Sequence, residues 1–275
     1  MIRAWYLVGM LLAAGAVSAQ TPEPWQTLEP GLELIQYDSR SARPAASGDL
    51  VVVRVDPARW DLKILAGEEE NGAGGRDLWS WCNDYGLVAA INAGMFQADH
   101  RTHVGYARID GQVANKAAND YLSALALGPV DPEDPPFRIF DLDEVKLGEV
   151  AARYRTVVQN LRLIKRPGEN RWQPGRDNWR EAALAEDWKG RCLLIYCHRQ
   201  LTMFEFNELL LSLPLGIVAA QHLEGGAPAK LWLDHELVVL ENLPGGNKPG
   251  PVLPNILGVA PRHPQGSERQ DQIEN

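Results

Sequence analysis

Short runs of apolar and β-branched residues, each closed by Gly, Pro, Asp or Asn, recur along this 275-residue chain. They constrain its fold more than any other feature. Runs of this length between breakers are strands. The pattern predicts them at Leu32–Tyr37, Leu50–Val55, Trp60–Leu65, Leu87–Asn92, Val104–Ile109, Phe137–Phe140, Thr156–Gln159, Ala182–Ala185, Arg191–Tyr196, Ile217–Leu223, Lys230–Leu233, Glu236–Leu240 and Ile256–Ala260. Asp110-Gly111 is a hairpin turn, because glycine accepts the positive φ that such a turn needs. Two segments stand out as helices. Asp77 caps one with Leu78, Trp81, Cys82 and Tyr85 on its apolar face and Gly86 at its end. Thr202 and Glu205 open the other in capping-box spacing, and Pro214 breaks it. Many strands with a few inserted helices predict an α+β fold of mixed, mostly antiparallel sheets.

Met1-Ile2-Arg3 puts a charge before an apolar run from Ala4 to Val17, and Val17-Ser18-Ala19 supplies the small residues that a signal peptidase reads. The run is too short for a permanent span of a bilayer roughly 30 Å thick. Residues 1–19 are therefore expected to be a signal peptide, with the mature chain exported, periplasmic or secreted, and without a stable membrane span. Residues 20–30 read as an extended leader, 31–260 as one folded domain and 261–275 as a polar tail. The Pro-rich stretch at 128–136 reads as a surface loop, since neither half of the chain could close its own sheet. A net charge of −9 without a basic stripe argues against a nucleic-acid partner. Cys192 and Cys197 point to opposite faces of one strand and should not pair; three buried thiols are expected, with a Cys82 bridge as the alternative.

The segment Ile217–Leu233 carries the strongest chemical signal. A buried strand delivers Glu224 onto Gly225-Gly226, where missing Cβ atoms let a ligand come close and let successive N–H groups point one way. His222 alternates onto the same face as Glu224 and can tune its protonation. Asn92 ends another apolar strand before Ala93-Gly94-Met95-Phe96, and Gln159, Asn160 and Arg162 cluster at a third strand end. Arg180 precedes the strand Ala182–Ala185 and offers the paired donors that match a phosphate or carboxylate. Asp187 is a further acidic candidate. Trp79, Trp81 and Trp232 are expected in the core, whereas Trp172, Trp179 and Trp188 lie in polar segments and can stack on a sugar. Asp99, His100 and His103 are read as a loop and not as a metal site, and no cofactor is expected. A GxSxG elbow and a P-loop are both missing from the sequence.

These blocks, in this order, resemble the phosphodiester glycosidase family. Val51–Asp56 with Pro57 is similar to its opening strand, Ile91–Gln97 to its Asn-x-Gly-x-Phe block and Val104–Gly111 to its glycine-bearing hairpin. Gln159–Ile164 is similar to its Gln-Ser/Asn-x-x-Leu block, and Arg180–Asp187 with Gly190 to its Arg/Ala block. Pro214–Leu233 is similar to its closing acidic-Gly-Gly block, in a bacterial Leu-Glu-Gly-Gly form. The chain departs from the better-known members at Ala227-Pro228-Ala229-Lys230, where Pro228 removes a backbone donor. The resemblance implies an exported hydrolase that cleaves a glycosyl-phosphodiester bond in envelope or extracellular glycan, exopolysaccharide included. It implies Arg180 as the phosphate clamp, Glu224 as base or nucleophile with Asp187 as the next acid, and Asn92, Gln159 and Asn160 as hydroxyl-orienting groups. A non-catalytic polysaccharide-binding module, and a hydrolase for a different envelope phosphodiester or glycan, are the alternatives.

Overall fold

The computed structural model describes residues 25–66, 75–237 and 251–262. The expected signal peptide, most of the polar tail and Val238–Leu240 of the strand expected at Glu236–Leu240 lie outside the described residues. Glu236 and Leu237 form a turn.

Among the described residues, three antiparallel sheets enclose a shared core. The largest has the order β1 (Gln26–Glu29), β2 (Leu32–Asp38), β4 (Leu50–Val55), β15 (Cys192–Leu201), β14 (Trp179–Asp187), β16 (Ile217–Gly225), β12 (Arg162–Lys165) and β13 (Glu169–Asn170), with β3 (Arg43–Pro44) paired to β2. The second runs β10 (Phe137–Asp141), β9 (Ser123–Pro129), β11 (Tyr154–Asn160), β7 (Ala107–Ile109) and β8 (Gln112–Asn115). The third runs β17 (Leu231–Leu233), β6 (Ala89–Asn92), β18 (Asn255–Pro261) and β5 (Trp60–Ala66). The α+β class is as expected. Part of the expected leader is a strand, because Leu28 packs into the central core.

Alternation along the strands sends one face of each sheet into that core: Val51, Val53, Leu194 and Leu184 from the first, Leu125, Ile139 and Val158 from the second, Ile64, Ile91 and Val259 from the third. Each opposite face is covered by a helix. Met203, Phe206 and Leu210 of α3 (Met203–Ser212) cover the first sheet, and Leu78, Trp81 and Cys82 of α1 (Leu78–Tyr85) cover the third. Val150 of α2 (Leu147–Arg153) covers the second. Burying each such Val, Leu or Phe stabilises the fold by about 1.5–3 kcal/mol.

The helix ends form as their residues dictate. The Asp77 carboxylate accepts from Ser80 N–H at 3.0 Å, and Gly86 closes α1 in the left-handed region at φ 59°. Thr202 and Glu205 make a reciprocal capping box. Asp110 and Gly111 take positive φ in the β7–β8 hairpin. The Pro-rich stretch joins β9 to β10 as a surface hairpin loop. All three cysteines are free and buried, with Cys192 in the central core and Cys197 in the cluster under α3. Trp79 departs from expectation: it is 49% exposed, on the solvent side of α1, whereas Trp81 and Trp232 are buried.

Candidate active site at the end of the central strands

The ends of β14, β16, β6 and β11 gather the candidate residues, and a bulge in β16 decides where its acid lies. Ala182 pairs with Glu224 but Ala183 pairs with His222, so Leu223 is the extra residue on β16. The insertion breaks the simple alternation along the strand. Glu224 lies across from Ala182, a residue of the central core, and Leu223 also belongs to that core. His222 lies across from Ala183, on the face covered by α3. The shared face expected for His222 and Glu224 is therefore corrected.

Glu224 is partly exposed, and its Oε1 accepts from the Gly225 N–H at 3.1 Å. Burial pushes its carboxyl above the ordinary value, while the Gly225 N–H, the His222 charge and the Phe96 N–H act against that rise. Tyr121 approaches from the loop before β9; burial first, then Asp120 and Glu224, raise its hydroxyl. On β14, Arg180 stands two residues before Ala182 and shares the face of Glu224. Its guanidinium lies beside the Tyr196 hydroxyl on β15, offsetting part of the rise that burial causes there.

The polar strand ends hold this corner together. Asn92, 1% exposed, accepts from the Lys230 N–H at 3.2 Å, and its Nδ2 has no partner among the described residues. Asn160 donates to the Ala93 carbonyl at 3.1 Å. It packs so closely on Gly94, at φ 152°, that a Cβ there would sit 2.5 Å from its Oδ1. Gln159 uses its whole amide on backbone: it accepts from Tyr106 and Asn119 and donates to the carbonyls of Asn119 and, at 2.7 Å, Tyr121. Gln159 thus positions the Tyr121 loop and has no donor left for a sugar. Gly226, at φ 69°, gives its N–H to the Arg180 carbonyl, and Gly225 gives its own to Glu224. The double glycine therefore turns the chain and does not present the row of free donors that was expected.

Two expected site residues are committed to other carboxylate–guanidinium pairs. Asp187 is five residues further along β14 than Ala182, which at about 3.4 Å per residue puts it roughly 17 Å away. Paired glycosidase carboxylates stand about 5–10 Å apart. Its carboxylate instead accepts from Arg191 Nε at 2.6 Å and from the N–H groups of Lys189 and Arg191, fixing the β14–β15 turn. Arg162 is drawn into ion pairs with Asp141 at 3.2 Å and Asp143 at 2.8 Å. Trp188, 68% exposed, is at the Asp187 end as well. Trp172 and Trp179 pack against the cluster under α3, with Trp179 lying over Gly225.

The acid that sequence reasoning missed is Glu181. It is fully buried, and its Oε2 lies 2.8 Å from His222 Nδ1. Burial raises its carboxyl, and the His222 bond and charge counter that. A glutamate directly before the apolar run Ala182–Ala185 was the available signal; starting the strand at Ala182 excluded it. Among the described residues no three His, Cys, Asp or Glu side chains gather to hold a metal ion. No helix among them is long and apolar enough to cross a membrane.

A family model described as phosphodiester glycosidase matches residues 85–260. Among solved structures, the chain is similar to the catalytic domain of zebrafish N-acetylglucosamine-1-phosphodiester alpha-N-acetylglucosaminidase, auto-inhibited by its pro-peptide, at a TM-score of 0.58 and 14% identity over 86% of each chain. It is also similar to a hypothetical protein from Synechocystis, at a TM-score of 0.52 and 13% identity over 86% of this chain and 61% of that one. A candidate exported protein from Burkholderia pseudomallei matches at a TM-score of 0.50 and 12% identity, over 77% and 74% of the two chains. These likenesses concern the fold. No curated protein matches the sequence.

Proposed function

The chain belongs to the phosphodiester glycosidase family, and from that premise we propose that it hydrolyses a glycosyl-phosphodiester bond with Glu224 and Arg180. One observation carries the reading: the β16 bulge puts a partly buried carboxylate on the same face, and at the same end of the central strands, as a guanidinium. Cleavage at the anomeric carbon releases a phosphomonoester, a stable anion, so the reaction needs a cation for the phosphate more than an acid for the leaving oxygen. Arg180 supplies the cation. Glu224 faces the sugar as base for water or as nucleophile, and its raised pKa suits proton exchange. Asn160 shapes the sugar side, and Gln159 holds the Tyr121 loop.

The substrate proposed is envelope or extracellular glycan material, met by an exported protein. Support for export comes from the charged and apolar residues 1–19 and from a fold shared with the Burkholderia protein. Glu224→Gln and Arg180→Ala should each lower sugar release from a sugar-1-phosphodiester by about 10²–10³-fold or more, with unchanged circular dichroism. Unchanged rates in both variants would remove the assignment. Glycan binding without turnover, undiminished by Glu224→Gln, would favour a binding module.

A further inference from the structure

The turn from β16 to β17 returns a second cation to the strand end that carries Arg180. The turn starts pinned to β14, where the Gly226 N–H donates to the Arg180 carbonyl at 3.0 Å. It finishes pinned to β6, where the Lys230 N–H donates to Asn92 Oδ1 at 3.2 Å before Leu231 pairs with Ile91. Burial, and then the positive charge of Arg180 nearby, hold the Lys230 ammonium below the usual lysine range. Arg54, Arg138, Arg162, Arg166 and Arg191 all have carboxylate partners. Arg180 and Lys230 pair with no carboxylate among the described residues. Asn92 Nδ2, on the amide that receives Lys230, is buried without an acceptor. Two neighbouring, partly buried cations and an orphaned amide donor therefore share one corner of the fold. Uncompensated charges in such a place are unfavourable, and an anion between them removes the conflict.

We propose that Lys230, Arg180 and Asn92 form a two-cation phosphate seat, matched to the phosphomonoester that leaves more than to the phosphodiester that arrives. The inference rests on the glycosyl-phosphodiester reading and makes it more specific. In that reaction the bond from the anomeric carbon to the phosphate oxygen breaks, and the oxygen keeps the electron pair. Water adds its hydroxyl to the carbon and gives its proton to the Glu224 carboxylate. The phosphate gains a second negative charge as the bond breaks, so a second cation stabilises the transition state more than the bound substrate. Neither Lys230 nor its role belongs to the acidic-Gly-Gly pattern itself; it lies in the Ala227–Lys230 stretch where this chain departs from the better-known members.

Isothermal titration of the full chain with inorganic phosphate tests the seat without requiring turnover. Lys230→Met, which keeps an apolar stem, should weaken phosphate binding by about tenfold or more, and Lys230→Arg should restore most of it. Lys230→Gln is the second variant, should Lys230→Met fail to fold. In Glu224→Gln phosphate should bind at least as well as in the parent chain. With a sugar-1-phosphodiester, Lys230→Met should lower kcat more than it raises KM. Equal phosphate affinity in the parent and both neutral variants, or no saturable phosphate binding by the parent, overturns the proposal. Phosphate binding that depends on Lys230 in a chain that releases no sugar from any sugar-1-phosphodiester keeps the seat and ends the hydrolase reading. Turnover with kcat unchanged in Lys230→Met ends the seat and keeps that reading.

Discussion

His103 is 4% exposed, and neither of its ring nitrogens has a hydrogen-bond partner among the described residues. Burial alone lowers its pKa from 6.5 to about 4, so the native chain holds the ring neutral through mildly acid pH. The unfolded chain takes up a proton once the pH falls below about 6.5, and the folded chain does so only near 4. Stability from this residue is therefore complete above 6.5 and lost as the pH falls towards 4, by roughly 3 kcal/mol in all. Glu181 and Glu224 act with the opposite sign: their carboxyls are raised, so their contribution is present below the ordinary carboxylate value and declines as the pH rises through the raised one. The difference in urea stability between the parent and His103→Leu isolates the histidine. It should shift in favour of the variant by roughly 3 kcal/mol between pH 7 and pH 4; a constant difference would contradict it. The spacing of Asp99, His100 and His103 gave no hint of this. Asp99 turns back to Thr102 and Arg101 and is held at about 2, while His103 is carried inward through the Phe96–His103 bridge. Which of two neighbouring histidines a loop buries depends on packing that no local spacing records.

At the scale of elements, β16 shows how little sequence separates two outcomes. Without the extra residue at Leu223, Glu224 would share the face of His222, away from Arg180. The apolar pattern revealed the strand, but a bulge has no signature when the extra residue is itself a leucine. The same limit hid β9, whose Ser-Ala-Leu-Ala-Leu core is buried on both faces and so lacks alternation. It also hid α2, whose N-cap Lys146 makes no side-chain capping bond. The two helices with side-chain caps were legible because capping is local chemistry. Beside the bulge, Gly225 must lack a side chain: a Cβ there would sit 2.3 Å from Trp179 Cδ1. Gly225→Ala should destabilise the chain by about 1–3 kcal/mol through overpacking. The double variant with Trp179→Ala should recover most of that cost relative to Trp179→Ala alone. Additive effects in this cycle, read from denaturant unfolding, would show that the tryptophan does not press on the glycine.

Across the whole molecule, hairpins are joined into sheets by pairings that are distant in sequence. Val51 of β4 pairs with Tyr196 of β15, and Leu231 of β17 with Ile91 of β6. Strand patterns identify such elements but cannot say which sheet each one joins, which is why the corner holding Glu224, Arg180 and Lys230 was legible as a set of candidates and not as a constellation. The core explains the architecture instead: all three sheets contribute side chains to one cluster, so none of them can separate without exposing the others. This predicts a single unfolding transition. Tryptophans report from different layers: Trp60 from the shared core, Trp81 and Trp232 from the contact between α1 and the third sheet, Trp172 and Trp179 from the cluster under α3. Tryptophan fluorescence and far-ultraviolet circular dichroism should give coincident urea curves, with calorimetric and van't Hoff enthalpies equal. Leu125→Ala, in the middle of the five-stranded sheet, should cost about 2–5 kcal/mol and move both curves together. If that substitution moved the circular dichroism and left the fluorescence in place, the sheets would be melting separately, and the shared core would not be what holds the strand ends in register around Glu224.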